Sequence, residues 1–247
     1  MFDNWIKNIQ FAVLPGRCLL CGKVTQTRQD ICPGCKVRLP LNERHCRCCA
    51  QPLASSAAPN SLCGRCQKST PAFDFCFAAF RYQQELVQLH HNFKFKRKLA
   101  AGRLLAELMA EQLIASPRAM PELLLPVPLH ARRLRERGFN QALELSRMLS
   151  TLLSVAVDAD SLVRTRDTRA QSSLPRNQRG RNMRNAFRVA SPLGCTHVAI
   201  IDDVMTTGVT VNEIARALRR EAIARIEVWV VASTPRGDTG ESSADTT

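Results

Sequence analysis

The run His197-Val-Ala-Ile-Ile-Asp202-Asp203-Val-Met-Thr206-Thr207-Gly208-Val-Thr210 limits the possible folds more than any other stretch of these 247 residues. Residues 198–201 are short, apolar and partly β-branched, which predicts a parallel strand buried on both faces. Two adjacent carboxylates close the run. Thr206, Thr207, Gly208 and Thr210 make a small polar turn. The amphipathic stretch beyond it, with Ile214, Ala217 and Leu218 on one face, predicts a helix. Strand, acidic pair, loop and helix in this order fit an α/β fold that binds ligands beyond the carboxyl ends of its strands. Carboxylates there can accept hydrogen bonds from sugar hydroxyls. A turn at a helix N-terminus offers N–H groups to a phosphate, Gly208 permits close backbone approach, and threonine hydroxyls add donors. A P-loop is excluded, because the only Gly-Lys pair, Gly22-Lys23, is followed by Val24.

Cysteine spacing sets the second constraint. Four C-x-x-C knuckles follow one another: Cys18/Cys21, Cys32/Cys35, Cys46/Cys49 and Cys63/Cys66. Ten residues separate the first two knuckles and thirteen the last two. Two knuckles at that distance suit a zinc ribbon, each giving two thiolates to one tetrahedral ion. Sequential pairing into two structural Cys₄ zinc sites is the assignment; pairing the first knuckle with the third is the alternative. Cys48 can replace a neighbour in the third knuckle, and His45 reads as a solvated neighbour. Residues 51–61 are Ala/Ser/Pro-rich and read as an excursion between knuckles.

Eleven cysteines without a recognisable export signal favour reduced thiols and metal over disulfides, which implies a cytoplasmic protein. No run approaches a membrane span. The net charge of +14 predicts anionic partners. Its distribution is uneven: no lysine follows Lys98, whereas residues 130–189 carry thirteen arginines. Arginine is the better fork for phosphate oxygens.

The remaining pattern divides the chain into a lead-in (1–15), a double ribbon (16–70), an α/β domain (71–234) and a polar, disordered tail (235–247). Strands are predicted at 75–82, 123–129, 161–166, 186–189 and 226–232, and helices at 84–92 and 99–114. Between these helices Phe93-Lys-Phe-Lys-Arg-Lys98 interleaves aromatics with cations. That pattern can stack and neutralise single-stranded nucleic acid. The competing reading puts both phenylalanines in the core, with one lysine still reaching an anion pocket. Residues 130–138 read as a loop bearing Arg132, Arg133, Arg135 and Arg137, and Asn140 as the cap of the next helix. The arginine-rich segment 168–184, with Arg176, Arg179 and Arg184, reads as a mobile lid.

The Asp202–Thr210 run closely resembles the signature of type I phosphoribosyltransferases, which bind phosphoribosyl pyrophosphate (PRPP). The resemblance implies that Asp202 and Asp203 hold the ribose hydroxyls. It further implies that Thr206, Thr207, Gly208 and Thr210 hold the 5′-phosphate. Arg137-Gly138-Phe139 resembles a run in the pyrophosphate loop of the adenine enzyme, which makes Arg137 and Gly138 expected pyrophosphate contacts. Taken over residues 14–234, the order of parts resembles the ComF family, including ComFC and its GntX relatives. That implies a phosphoribosyltransferase-like parallel sheet with helices on both faces behind a double zinc ribbon. It also implies PRPP with Mg²⁺, and a role in natural competence or use of external DNA. Two functions follow. One is phosphoribosyl transfer to an acceptor the sequence does not name. The other is a non-catalytic module that binds single-stranded DNA and a helicase-like partner and uses the PRPP pocket as a sensor. No residue in the sequence reads as a general base.

Overall fold

The computed structural model describes residues 16–25, 27–166 and 185–235. The expected lead-in, the segment 168–184 with Arg176, Arg179 and Arg184, and the tail beyond residue 235 lie outside them. In chain order the elements are α1 (Pro33–Lys36), α2 (Gly64–Lys68), β1 (Phe75–Arg81), α3 (Glu85–Lys94), α4 (Leu99–Ala115) and β2 (Leu123–Pro126). Then come α5 (Ala131–Arg137), α6 (Gln141–Leu153), β3 (Ala156–Val157), β4 (Leu162–Arg164) and β5 (Phe187–Val189). The chain closes with β6 (His197–Met205), α7 (Val209–Arg220) and β7 (Arg225–Ser233).

Five strands form one sheet in the order β1-β7-β6-β2-β3, every neighbouring pair parallel. Alternate side chains of the central strands feed two cores. Ala199, Ile201, Trp229 and Val231 pack on one face with Leu89, Leu105, Leu145 and Leu149 of α3, α4 and α6. Val198, Ile200, Val228 and Val230 pack on the other with Ile214 and Leu218 of α7. Strands buried on both sides read as continuous apolar runs, which is why β6 and β7 were recognisable in the sequence. β6 runs further than its apolar stretch. Its ladder with β7 continues through Asp202↔Val230 to Met205↔Ser233, so the acid pair lies inside the strand. At the opposite end of the sheet, buried Glu227 accepts from Trp229 Nε1 at 2.8 Å and pairs with Arg225 at 2.8 Å. β4 and β5 form a separate antiparallel pair, with Phe187 inside the α7 core.

The ribbon module straddles the β1 edge of this sheet. Cys18, Ile31, Cys35 and Leu39 join the first core, and Cys46, Cys49, Cys63 and Cys66 join the second. The segment linking the two halves pairs with β1: Leu41 bridges Phe80, Arg81 N–H donates to Pro40 O at 2.8 Å, and Asn42 N–H donates to Ala79 O at 3.1 Å. That closes a sheet edge that would otherwise present unpaired N–H and C=O groups.

Two local expectations change. Residues 131–137 are helical, not loop. His130 accepts from Arg132 N–H at 3.4 Å, Arg132 pairs with Glu136 at 3.1 Å, and Gly138 stops the helix at φ +78°. Of the two aromatics in the basic run, Phe93 is buried core, whereas Phe95 is 63 % exposed. Among the described residues no helix is long and apolar enough to cross a membrane.

Candidate functional site

The sheet order itself points to the site. β2 connects through α6 to β3 on one side, and β6 connects through α7 to β7 on the other. The two helices lie on opposite faces. Their divergence opens a crevice beyond the ends of β2 and β6, where open α/β sheets hold ligands. A pocket of about 440 Å³ lies there. β6, α7 and the loop between them supply Asp202, Asp203, Thr206, Gly208 and Thr210 to its wall. The β2 side supplies Arg133, Arg137, Asn140 and Gln141, α3 supplies Lys94, and β4 supplies Arg164. Six residues expected from the sequence therefore share one cavity. Thr207 and Gly138 do not line it. Thr207 is buried behind the loop, and Gly138 sits against the Arg97 guanidinium.

Gly208 explains the loop. It is left-handed at φ +70° and caps α7, whose first N–H groups have no partner within the helix. With the macrodipole they make an anion seat. Asn140, as expected, caps α6, accepting from Ala142 N–H at 3.0 Å. Its amide also donates to Val127 O at 3.0 Å, which ties the helix start to the end of β2.

The two carboxylates differ sharply. Asp203 is 7 % exposed. Its Oδ2 accepts from His90 Nε2 at 2.9 Å and from Lys94 Nζ at 2.6 Å, and its Oδ1 from Val204 N–H at 2.7 Å. His90 Nδ1 lies 3.0 Å from the Tyr82 hydroxyl, which donates to it when Nε2 carries the proton. Burial alone would raise the Asp203 pKa. The His90 hydrogen bond and the Lys94 charge outweigh it and hold the carboxyl well below the usual range. Asp202 is half-buried, and among the described residues no cation forms an ion pair with it. Burial first, then the Asp203 charge, pushes it up to about 7. His90 and Tyr82 carry no sequence signal for this role; only the fold brings α3 against β6. Lys94 was foreshadowed as one lysine of the basic run.

The eight expected cysteines form two clusters, Cys18/Cys21/Cys32/Cys35 and Cys46/Cys49/Cys63/Cys66. Within each cluster all sulfurs lie within 4.8 Å of one another. Pairing is sequential; Cys48 and His45 stand outside both clusters. Cys21–Cys32 and Cys49–Cys63 sulfur separations are 3.7 and 3.6 Å. A tetrahedron with Zn–S bonds of about 2.3 Å has edges of about 3.8 Å, so the sites fit structural zinc.

Topology and site chemistry place the α/β part among phosphoribosyltransferase-like folds, here with a zinc-ribbon module built into the sheet edge. The double zinc ribbon domain family matches residues 9–69. DNA utilization protein YhgH of Salmonella typhimurium (strain LT2) is 34% identical over 226 residues, covering 90% of this chain and 98% of that protein. Competence protein F of Haemophilus influenzae is 33% identical over 224 residues, covering 87% and 96%. Competence protein ComFC of Streptococcus pneumoniae is 25% identical over 216 residues, covering 82% and 93%. Among solved structures, glutamine phosphoribosylpyrophosphate amidotransferase from B. subtilis, complexed with ADP and GMP, aligns with TM-score 0.35 and 13% identity. That alignment covers 53% of this chain and 26% of the other. The chain belongs to the ComF family of competence and DNA utilization proteins.

Proposed function

We propose that the switch-point pocket binds PRPP with Mg²⁺, and that the protein transfers its phosphoribosyl group to a nitrogen acceptor in the use of external DNA. One observation carries this reading: a single pocket joins the acid pair of β6, a glycine-capped helix N-terminus and the arginines of α5 and β4. The α7 terminus and threonine loop would seat the 5′-phosphate. Asp202 faces the sugar hydroxyls, and Arg133, Arg137, Arg164 and Lys94 face the diphosphate. The oxygen donors present suit a hard cation. Asp203 is already engaged by His90 and Lys94, so Asp202 and the diphosphate itself would hold Mg²⁺. Bound there, the ion would neutralise charge on the departing pyrophosphate. The protein's own share is positional: it fixes both ends of the sugar phosphate and presents cations where negative charge accumulates.

A second reading, a single-strand DNA-binding module that senses PRPP, is favoured by exposed Phe95 beside exposed Lys96, Arg97 and Lys98.

Isothermal titration of zinc-replete protein with PRPP and Mg²⁺, followed by pyrophosphate assays with nucleobases and DNA, tests both. Saturable binding with release dependent on one acceptor is expected for the transferase. Binding without release, together with a single-strand affinity that falls steeply with salt, selects the sensor. No PRPP binding at all overturns both.

A further inference from the structure

α2 is five residues long, too short to persist without tertiary support. Its N-cap is Cys63 and its third residue is Cys66, both members of the second cysteine cluster. Arg65 lies between them, so the sulfurs that hold this helix also hold the Arg65 backbone. From there the Arg65 guanidinium donates to the carbonyl oxygen of Thr207, 142 residues away in sequence. Around this contact Cys49, Gln51 and Cys66 face Met205, Thr206 and Gly208 across a narrow gap. The ribbon therefore touches the back of the loop whose front lines the ligand pocket.

We propose that Arg65 is a positioning residue for the phosphate loop, which makes the second zinc ribbon a structural part of the ligand site. The inference rests on the phosphate-binding reading of that loop. The Thr207 carbonyl and the Gly208 N–H belong to one planar peptide and point in opposite directions. A cation on the carbonyl fixes that plane and turns the N–H away from the ribbon. Hydrogen bonding at one end of a peptide also polarises it and strengthens the donor at the other. Gly208 is left-handed, and an added Cβ there would meet only Met205 within 4 Å, its Sδ at 3.3 Å, so little packs on that side of the loop. An external clasp is thus what such a loop needs to hold one orientation. Zinc at the second site acts through Arg65: it sets the helix, the helix sets the guanidinium, and the guanidinium sets the peptide.

The experiment compares wild type, Arg65→Ala, Arg65→Met and, as a control, Lys68→Ala, which removes an exposed cation on the same helix. Zinc content, PRPP affinity and hydrogen exchange of the amides at 206–209 are measured for each. Arg65→Ala is expected to keep two zinc ions, lose about ten-fold in PRPP affinity and exchange the loop amides faster. Lys68→Ala should match wild type in all three. Wild-type affinity and loop protection in Arg65→Ala would overturn the inference. Should Arg65→Ala lose metal, Arg65→Met, which keeps an apolar stem but has no donor for the Thr207 carbonyl, decides: zinc retained with a loosened loop supports the proposal, and a fully protected loop sinks it. Wild type that ignores PRPP would refute the binding reading alone, while loop exchange still decides on Arg65.

Discussion

Asp202 and Asp203 follow one another on β6, yet their surroundings push their proton affinities apart. The folded-state pKa of Asp202, about 7, stands above its ordinary 3.8. The native protein therefore holds a proton that the unfolded chain releases. This residue's contribution to stability falls as pH rises from about 4 through about 7. Asp202→Asn removes that slope. Its melting temperature should equal wild type near pH 4.5 and exceed it by a few degrees at pH 8, roughly 1 kcal/mol, with PRPP affinity reduced. Melts at several pH values check this; a variant as pH-steep as wild type would count against it. Asp203 is the reverse case. Its pKa is depressed, so its contribution is present above the unfolded value and lost in acid. Asp203→Asn leaves His90 and Lys94 facing a neutral amide and should lose roughly 2–4 kcal/mol at pH 7. The acids were legible because I-D-D-V ends an apolar run. Their unequal roles were not, because the decisive partner, His90, lies 113 residues away and reads as an ordinary helix histidine.

At the scale of elements, α3 presents both His90 and Lys94, and α4 sets where α3 sits. Gly102, the fourth residue of α4, lies at this contact: a Cβ there would stand 2.4 Å from the Phe93 ring. Alanine in a helix interior ordinarily gains about 1 kcal/mol over glycine. Here the clash with a fully buried ring should reverse the sign. Gly102→Ala is expected to destabilise by roughly 1–3 kcal/mol and to weaken PRPP binding, because Phe93 and Lys94 are neighbours on α3. Thermal melts and titration check it; a more stable variant would show that Phe93 yields freely. Apolar spacing revealed both helices, but nothing in the sequence told that Gly102 is a contact and not merely a weak helix former. α5 was missed for a related reason. Its cap, His130, is outside the usual Ser/Thr/Asp/Asn set, and its dense arginines resemble a loop. Gly138, taken as a pyrophosphate contact, has a local reason to be glycine as the left-handed stop of α5.

For the whole molecule, the knuckle spacing foretold two metal sites but not where they stand. Ribbon and sheet share both cores, and their shared boundary is the pairing of Pro40–Asn42 with β1. Two zinc ions per chain are expected by elemental analysis, and strong chelation should lower stability by several kcal/mol. The manner of failure is the sharper forecast. The strip covering β1 hangs between Cys35 and Cys46, one from each cluster, like a strap buckled at both ends. Metal loss slackens it at once and bares the backbone of β1 while β7 and β6 still hold the sheet together. Zinc-starved protein should therefore not unfold quietly. It should grow turbid with a steep dependence on concentration, chains zipping edge to edge, and zinc added before the haze appears should prevent it.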